Sequence, residues 1–403
     1  MSDAPDYSEA LQLVLPHVTP LDREDTVPLH DADGRVLSES IHADRDLPPF
    51  NRSAMDGYAM RQTDLASGRP LPCHGHLAAG CSADIDVPEG TCIAIATGAP
   101  VPDALDLVVP HERSDRGDRR GEPVRFDSID IEVGHAIHPR AADAARGDVL
   151  VAPGTRLHAD HLGLAATTGC TSLRVRSRPT VAVLTTGDEV VPIDTTPAPH
   201  QIRNGNAPML QALVSRMGGA CMSHRHLPDD PDAVLHAIDA GLGAADMVVT
   251  VGGISAGDRD FIPGQLAALS VEPLLRGAAI QPGKPIRVGR SPSGRFVVSL
   301  PGNPVSVLAT ACLILWPILD RLAGGDGQLP WRTVTLTEPM KPNARRFQFR
   351  PARLDPDGTA TVPSWAGSGD LAHVAVTDGL LALPRQAEPV PAGNTLEFLP
   401  WPS

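Results

Sequence analysis

Lysine is almost missing from this chain of 403 residues: it occurs only at positions 284 and 341, so thirty-two of the thirty-four cationic side chains are arginine. Positive charge as a whole is scarce. Forty-eight acidic residues leave a formal charge of −14, which excludes a general nucleic-acid surface and a basic membrane face. An anionic ligand must therefore be met by a local cluster of donors, and the placement of Lys284 gains weight. Aromatic residues make up 3% of the chain, so aliphatic cores are expected. The six cysteines, at 73, 81, 92, 170, 221 and 312, include no Cys-x-x-Cys pair, which fits reduced thiols better than a disulfide framework or a zinc site. The pairs His74/His76 and His158/His161 lack a third ligand for a metal. No charged-then-apolar leader precedes Tyr7, and the longest apolar run, Val305 to Leu319, contains Pro317 and is short for a bilayer span. A cytoplasmic protein without a membrane or nucleic-acid partner is the expectation.

What is present is an apolar content of 42%, forty-one prolines, and enough length for two to four domains. The chain is organised around residues 245–261. There Met247 to Val251 reads as a buried strand that empties into Gly252, Gly253 and Gly257 before a helical pattern resumes at Phe261. Glycines let backbone N–H groups approach an anion, and a helix start favours negative charge. Asp258 and Asp260 at the same turn would repel a phosphate unless a divalent cation lay between them, so the stretch points to a metal–phosphate site.

In chain order, residues 8–15 form an amphipathic helix with Ser8 as the candidate cap and Pro16 as the stop. The stretch from 62 to 140 is strand-rich and divided by glycines; the charged run 112–122 reads as a solvated loop. From Thr180 strands and helices alternate: strand 180–185, helix 207–217, strand 220–227, helix 232–240 capped by Asp230 and opened by Pro231, strand 247–251, a strand near 296–300 and helix 304–322. This predicts a doubly wound parallel sheet whose strand C-termini share one rim, where ligands bind. Glu189, Asp229, Asp260 and Asn303 all fall there, Asn303 also setting the turn before its helix. The tail, 326–403, alternates apolar and polar residues as a small β domain. The expected architecture is a multidomain α/β protein: a discontinuous N-terminal domain (1–44 and 141–177), an inserted β-rich domain (45–140), an α/β domain (178–325) and a C-terminal β domain (326–403).

Six stretches, in order, carry a resemblance: Ser53-Ala-Met-Asp-Gly-Tyr-Ala59, Thr97-Gly-Ala-Pro-Val-Pro102, Thr186-Gly-Asp-Glu189, Gly252-Gly-Ile-Ser-Ala-Gly257, Pro282-Gly-Lys-Pro285 and Leu300-Pro-Gly-Asn-Pro-Val-Ser306. Together they resemble the molybdopterin molybdenumtransferase family, which includes MoeA and the corresponding domain of gephyrin. The resemblance runs from about residue 8 to the end of the chain. It implies a homodimeric enzyme, its α/β domain similar to MoaB and MogA, that inserts molybdate into adenylylated molybdopterin and releases AMP with Mg2+. It further implies contact with the adenylyltransferase of the preceding step and with molybdoenzyme-maturation proteins.

Carried over by motif, Asp56, Thr97, Asp143, Glu189, Asp229, Asp260 and Lys284 take the catalytic positions, with Asp229 and Asp260 as metal ligands. Asp56 and Thr97 belong to a wall that in the family faces a partner subunit. Gly252, Gly253, Ser255, Pro285, Asn303, Ser306, Arg350 and Ser368 take substrate-binding positions. The chain departs from the family at Gln281, where a lysine is frequent, and at Ala141-Ala142-Asp143, where Gly-Glu-Asp is common. Two rival readings stand beside the insertase: a molybdopterin adenylyltransferase, a family that tends to show Gly-Gly-Thr-Gly in the central turn whereas here Gly253 is followed by Ile254-Ser255-Ala256, and a gephyrin-like scaffold. Molybdate and tungstate, tetrahedral dianions of similar size, are not separated by the sequence.

Overall fold

The computed structural model describes residues 4–115, 123–127, 130–254, 261–364 and 367–402. The first helix, Tyr7–Val14, begins two residues earlier than a Ser8 cap requires. Asp6 is its cap: its carboxylate accepts from the Glu9 N–H at 2.9 Å while the Glu9 carboxylate accepts from the Asp6 N–H at 2.8 Å, closing a capping box. Ser8 only donates its hydroxyl to Asp6, at 3.0 Å. Ala10 and Val14 on this helix are fully buried against the core of the α/β sheet.

The chain then builds an antiparallel ribbon, Glu24–Pro28 with Ser172–Arg176, and a second short pairing of Ile41–His42 with Val149–Val151. These bring the segments before residue 47 and after residue 144 onto one core of Ala32, Leu37, Ile41, Val151, Leu157 and Leu173. Between them lies a four-stranded sheet in the spatial order 73–77, 92–95, 57–60, 107–110. The strands 92–95, 57–60 and 107–110 are buried on both faces, with Tyr58 and Met60 in one core and Ala59 and Ile93 in another, whereas His74 and His76 of the edge strand 73–77 are exposed.

A six-stranded sheet follows, in the order 220–227, 180–186, 247–251, 296–300, 287–290, 272–276. The first four strands are parallel, as expected. The last two are antiparallel and form an edge that strand–helix alternation did not predict, because their connection is too short for a crossover helix. Val181, Val183 and Val249 face the helices Asn206–Arg216 and Pro304–Leu322, whereas Ala182, Leu184 and Val248 face Pro231–Ala244 and Ile262–Ala268. Burial on both faces explains why these strands are continuous apolar runs. The helical run Pro304–Leu322 is long and apolar enough to cross a membrane, but 89% of it is buried inside the fold.

In the C-terminal part the strands follow the order 280–281, 347–354, 359–361, 332–336, 395–400, 379–383, and the last pairs back to 347–354, giving a barrel-like closure. Ile280–Gln281 leaves the α/β part to pair in parallel with Phe347 and Gln348, joining the two units.

The N-terminal and α/β parts are tied by Asp320, which is 8% exposed near the end of the long helix. Its carboxylate accepts from the Arg156 guanidinium and from the Gly327 N–H at 2.8 Å; Arg156 also donates to the Gly34 carbonyl at 2.6 Å. Asp320→Asn is expected to destabilise the protein by about 2 kcal/mol, the scale for a charge-assisted bond lost from a buried site. A fall in the thermal unfolding midpoint checks this.

Candidate functional site

The parallel strands run in the sequential order 2-1-3-4, so the first (180–186) and third (247–251) are neighbours whose following helices pack on opposite faces. The crevice at their carboxyl ends is a topological switch point, the place where open α/β sheets bind ligands. Here it holds a cavity of about 780 Å³. Thr186 and Gly187 stand on one side and Gly252 and Gly253 on the other, with positive φ at all three glycines. A Cβ on Gly252 would lie 2.7 Å from the Thr186 hydroxyl oxygen, so the close approach of the two turns admits only glycine there.

Of the expected site residues, Glu189, Asp229, Gly252, Gly253, Lys284, Pro285, Asn303, Ser306 and Ser368 all line this cavity. Ser255 and Asp260 lie outside the described residues. Asp230 caps the helix Pro231–Ala244, accepting from the Ala233 N–H at 2.7 Å, as its Asp-Pro sequence indicated. The Asp229 N–H beside it donates to the Asp188 carboxylate at 3.1 Å. Asn303 occupies the cap position of the long helix, yet its side chain makes no cap bond; it donates to the Ser368 hydroxyl at 3.1 Å. With the Val305 N–H donating to the Ser368 carbonyl at 3.0 Å, this closes the cavity between the α/β rim and the C-terminal part.

Lys284 is exposed to the cavity and has no carboxylate partner among the described residues. Its carbonyl accepts from the Ala278 N–H at 3.0 Å, which anchors the loop that presents it. Gln281, at the position where the family often has a cation, is used as an acceptor: its side-chain oxygen receives Asn343 at 2.8 Å and Gln348 at 3.3 Å.

Arg350 does not line the cavity; from the C-terminal part the arginine that does is Arg346. Four residues along an extended strand is about 13 Å, enough to carry Arg350 out of reach. Arg350 is mostly buried, and that burial lowers its pKa below the usual guanidinium value. Nothing in the sequence distinguishes Arg346 from the other arginines. It is placed by the long-range pairing of 280–281 with 347–348. Arg203 is a third cation on the walls among the described residues, so Lys284, Arg346 and Arg203 border the same cavity as the carboxylates Glu189 and Asp229.

Asp56, Thr97 and Asp143 lie elsewhere. One Asp56 oxygen accepts both the Thr97 N–H at 2.7 Å and the Thr97 hydroxyl at 3.0 Å, and the backbone bond above all holds its pKa below the usual carboxylate value. Asp143 meets the His138 ring at 2.9 Å. Neither group borders the cavity of its own chain.

Among the described residues no cluster of three or more His, Cys, Asp or Glu side chains is arranged to hold a metal. Glu189 and Asp229 offer oxygen ligands, and among the described residues no thiol or imidazole lines the walls. That donor set fits magnesium, which takes one or two carboxylates and completes its shell with water and substrate phosphate.

Comparison with known proteins covers nearly the whole chain. The model of the MoeA N-terminal region (domain I and II) matches residues 6–169, that of a probable molybdopterin binding domain residues 182–321, and that of the MoeA C-terminal region (domain IV) residues 333–401. A molybdopterin molybdenumtransferase of Synechocystis sp. is 30% identical, with 91% of this chain and 93% of the relative covered. Molybdopterin molybdenumtransferase 2 of Mycobacterium tuberculosis is 34% identical, with 92% and 94% covered. The solved molybdopterin biosynthesis MoeA protein of Pyrococcus horikoshii OT3 superposes with a TM-score of 0.85 at 26% identity, covering 99% of this chain and all of that one.

Proposed function

The chain belongs to the molybdopterin molybdenumtransferase family, and from that premise we propose that it inserts molybdate into adenylylated molybdopterin in the cavity at the switch point, with release of AMP. The observation that carries this reading is the meeting of Lys284 and Arg346 with the glycine turns at 187 and 252–253 around one cavity of about 780 Å³. Cations, and glycine turns that let an anion approach the backbone closely, suit phosphate and a tetrahedral oxyanion. The volume suits a pterin nucleotide.

Lys284 and Arg346 hold molybdate and the substrate's phosphates, Arg346 as a planar two-pronged donor and Lys284 as a point charge. Gly252, Gly253, Asn303, Ser306 and Ser368 bind the nucleotide substrate from the two rims. Water attacks the adenylyl phosphorus, either directly or after a molybdate oxygen has displaced the pterin phosphate to give adenylyl molybdate. In both cases the bond to the pterin's own phosphate breaks and the hydrolysis yields AMP, while the two dithiolene sulfurs replace one molybdate oxygen, which leaves as water with the thiol protons. Glu189 orients the attacking water and takes its proton. Asp229, together with Asp260, would hold magnesium, which would supply charge neutralisation at the phosphates when bound. Asp56 and Thr97, remote from the cavity of their own chain, complete the cavity of a partner subunit in a homodimer. The enzyme works in the cytoplasm, taking its substrate from the adenylyltransferase and passing its product to maturation proteins.

The test is AMP release from purified adenylylated molybdopterin with magnesium, with and without molybdate, by wild type and Asp229→Asn. The reading expects release that depends on molybdate and falls by about 10²-fold or more in the variant, the scale for removing a group that supports charge development. Release without molybdate dependence, or rapid adenylate formation from ATP and free molybdopterin, overturns it.

A further inference from the structure

We infer that the Thr185 hydroxyl positions the 202–206 wall of the cavity, and that His224 and His226, both bonded to it, make that positioning depend on protonation. The inference rests on the reading of this cavity as the substrate site.

Thr185 is 2% exposed at the carboxyl end of the strand Thr180–Thr186, directly beside His226 in the sheet register. Its hydroxyl oxygen lies 3.1 Å from His224 Nε2, 3.1 Å from His226 Nδ1 and 2.9 Å from Asn204 Nδ2. Asn204 is 7% exposed, and its orientation is fixed because its Oδ1 accepts the Ala207 N–H at 3.2 Å. Asn204 therefore donates to Thr185. A threonine hydroxyl has one hydrogen to give and two lone pairs to fill. Asn204 fills one lone pair, so one imidazole fills the other and the second imidazole receives the hydroxyl hydrogen. One of the two ring nitrogens must then be unprotonated.

A single imidazolium is compatible with this count, but two are not. With both rings charged, three donors compete for two lone pairs and the hydroxyl hydrogen has no acceptor. Several charged side chains on the surrounding elements are bonded elsewhere or exposed, while Glu189 and Asp229 border the cavity. Arg203 donates to the Thr195 carbonyl at 3.1 Å, Arg216 at the far end of its helix to the Pro402 carbonyl at 3.1 Å, and Arg225 is exposed. Asp188 is bonded to the Asp229 N–H. Burial, and after it the charge of His226, lower the pKa of His224 below 6.5. The fold thus favours the neutral ring. That stabilisation is intact above the ordinary histidine range and is lost as pH falls below it.

The consequence reaches the substrate through Asn204. Its two bonds hold the turn from Ile202 to Asn206 on the cavity wall and satisfy an N–H at the start of the helix Asn206–Arg216. Asn206 in turn donates to the Gly302 carbonyl at 2.8 Å, joining this wall to the Pro301–Asn303 rim. Losing the acceptor on Thr185 loosens a binding wall, so KM responds more than kcat.

The experiment compares kcat and KM for AMP release by wild type, Thr185→Val and Thr185→Ser between about pH 5.5 and 8, the range in which histidine charge changes. We expect the wild-type KM to rise toward acid. In Thr185→Val it should be raised about tenfold at neutral pH, as for a buried polar group that loses its partner, and respond less to acid. Thr185→Ser should restore both. A wild-type profile in Thr185→Val, or a uniform loss at every pH with the acid response retained, overturns the inference. Imidazole nitrogen chemical shifts of His224 and His226 give a second readout that needs no substrate. One ring nitrogen of the pair facing Thr185 should be an unprotonated acceptor, and two rings titrating independently overturn the idea. Absence of AMP release by wild type, by contrast, would sink the insertase reading while leaving the shifts to judge the network.

Discussion

Lys284→Met is expected to lower molybdate-dependent AMP release by about 10²- to 10³-fold, the effect of removing one pre-aimed donor from a site where charge develops. The prediction is large because, among the described residues, few cations border the cavity and the other two are arginines, whose forked geometry does not replace a compact ammonium. For the same reason Lys284→Arg should recover only a small part of the rate. Gln281, bonded to Asn343 and Gln348, supplies no charge in compensation. The scarcity of lysine makes a second readout unusually clean. An amine-reactive label can mark only Lys284, Lys341 and the chain terminus, so molybdate should protect Lys284 and leave Lys341 unchanged. A Lys284→Met enzyme with wild-type rate, or equal labelling of Lys284 with and without molybdate, would remove the lysine from the oxyanion site.

The parts of this site that could be read from the sequence are those fixed by short segments. Met247 to Val251 is a strand because four apolar residues and the β-branched Thr250 suit a position buried on both faces, and the glycines after it are needed where two turns nearly touch. Asp230-Pro231 announces a helix start because the carboxylate caps and the ring fits the first turn. Once the strands are placed, their common direction puts Glu189, Asp229 and Asn303 on one rim without any further knowledge of contacts.

What could not be read depends on pairings between distant segments. Arg346 reaches the cavity only because 347–348 pairs with 280–281, and an arginine-rich sequence hides it among equals. Thr185, His224 and His226 converge because two strands thirty-nine to forty-one positions apart share a register; each residue alone is an ordinary member of a strand. The same holds for the antiparallel edge at 272–290, which no periodicity separates from a crossover. Even the first helix shows the limit at short range. Ser8 and Asp6 are both good caps, and the choice between them is made by whether Glu9 can reach back three residues.

Gly283→Ala should disable the enzyme as thoroughly as loss of Lys284, although it removes no functional group. Gly283 has φ of +107°, a conformation that side chains rarely adopt, and a Cβ placed there would lie 2.2 Å from the Cγ2 of Thr310. Strain and overlap together cost about 3–5 kcal/mol if the loop stays in place, so the loop moves instead and carries Lys284 with it. A displacement of about 1 Å at such a site can cost 10²-fold in rate. The overlap and the strain can be separated, because Thr310 keeps its hydroxyl bonded to the Ser306 carbonyl at 2.6 Å while its methyl alone meets the new Cβ. Thr310→Ser removes that methyl and preserves the bond. The double variant Gly283→Ala/Thr310→Ser should therefore regain part of the lost rate, and Thr310→Ser alone should remain close to wild type. Additive losses in the double variant would mean that the backbone conformation of Gly283, and not the space against the long helix, sets the position of Lys284.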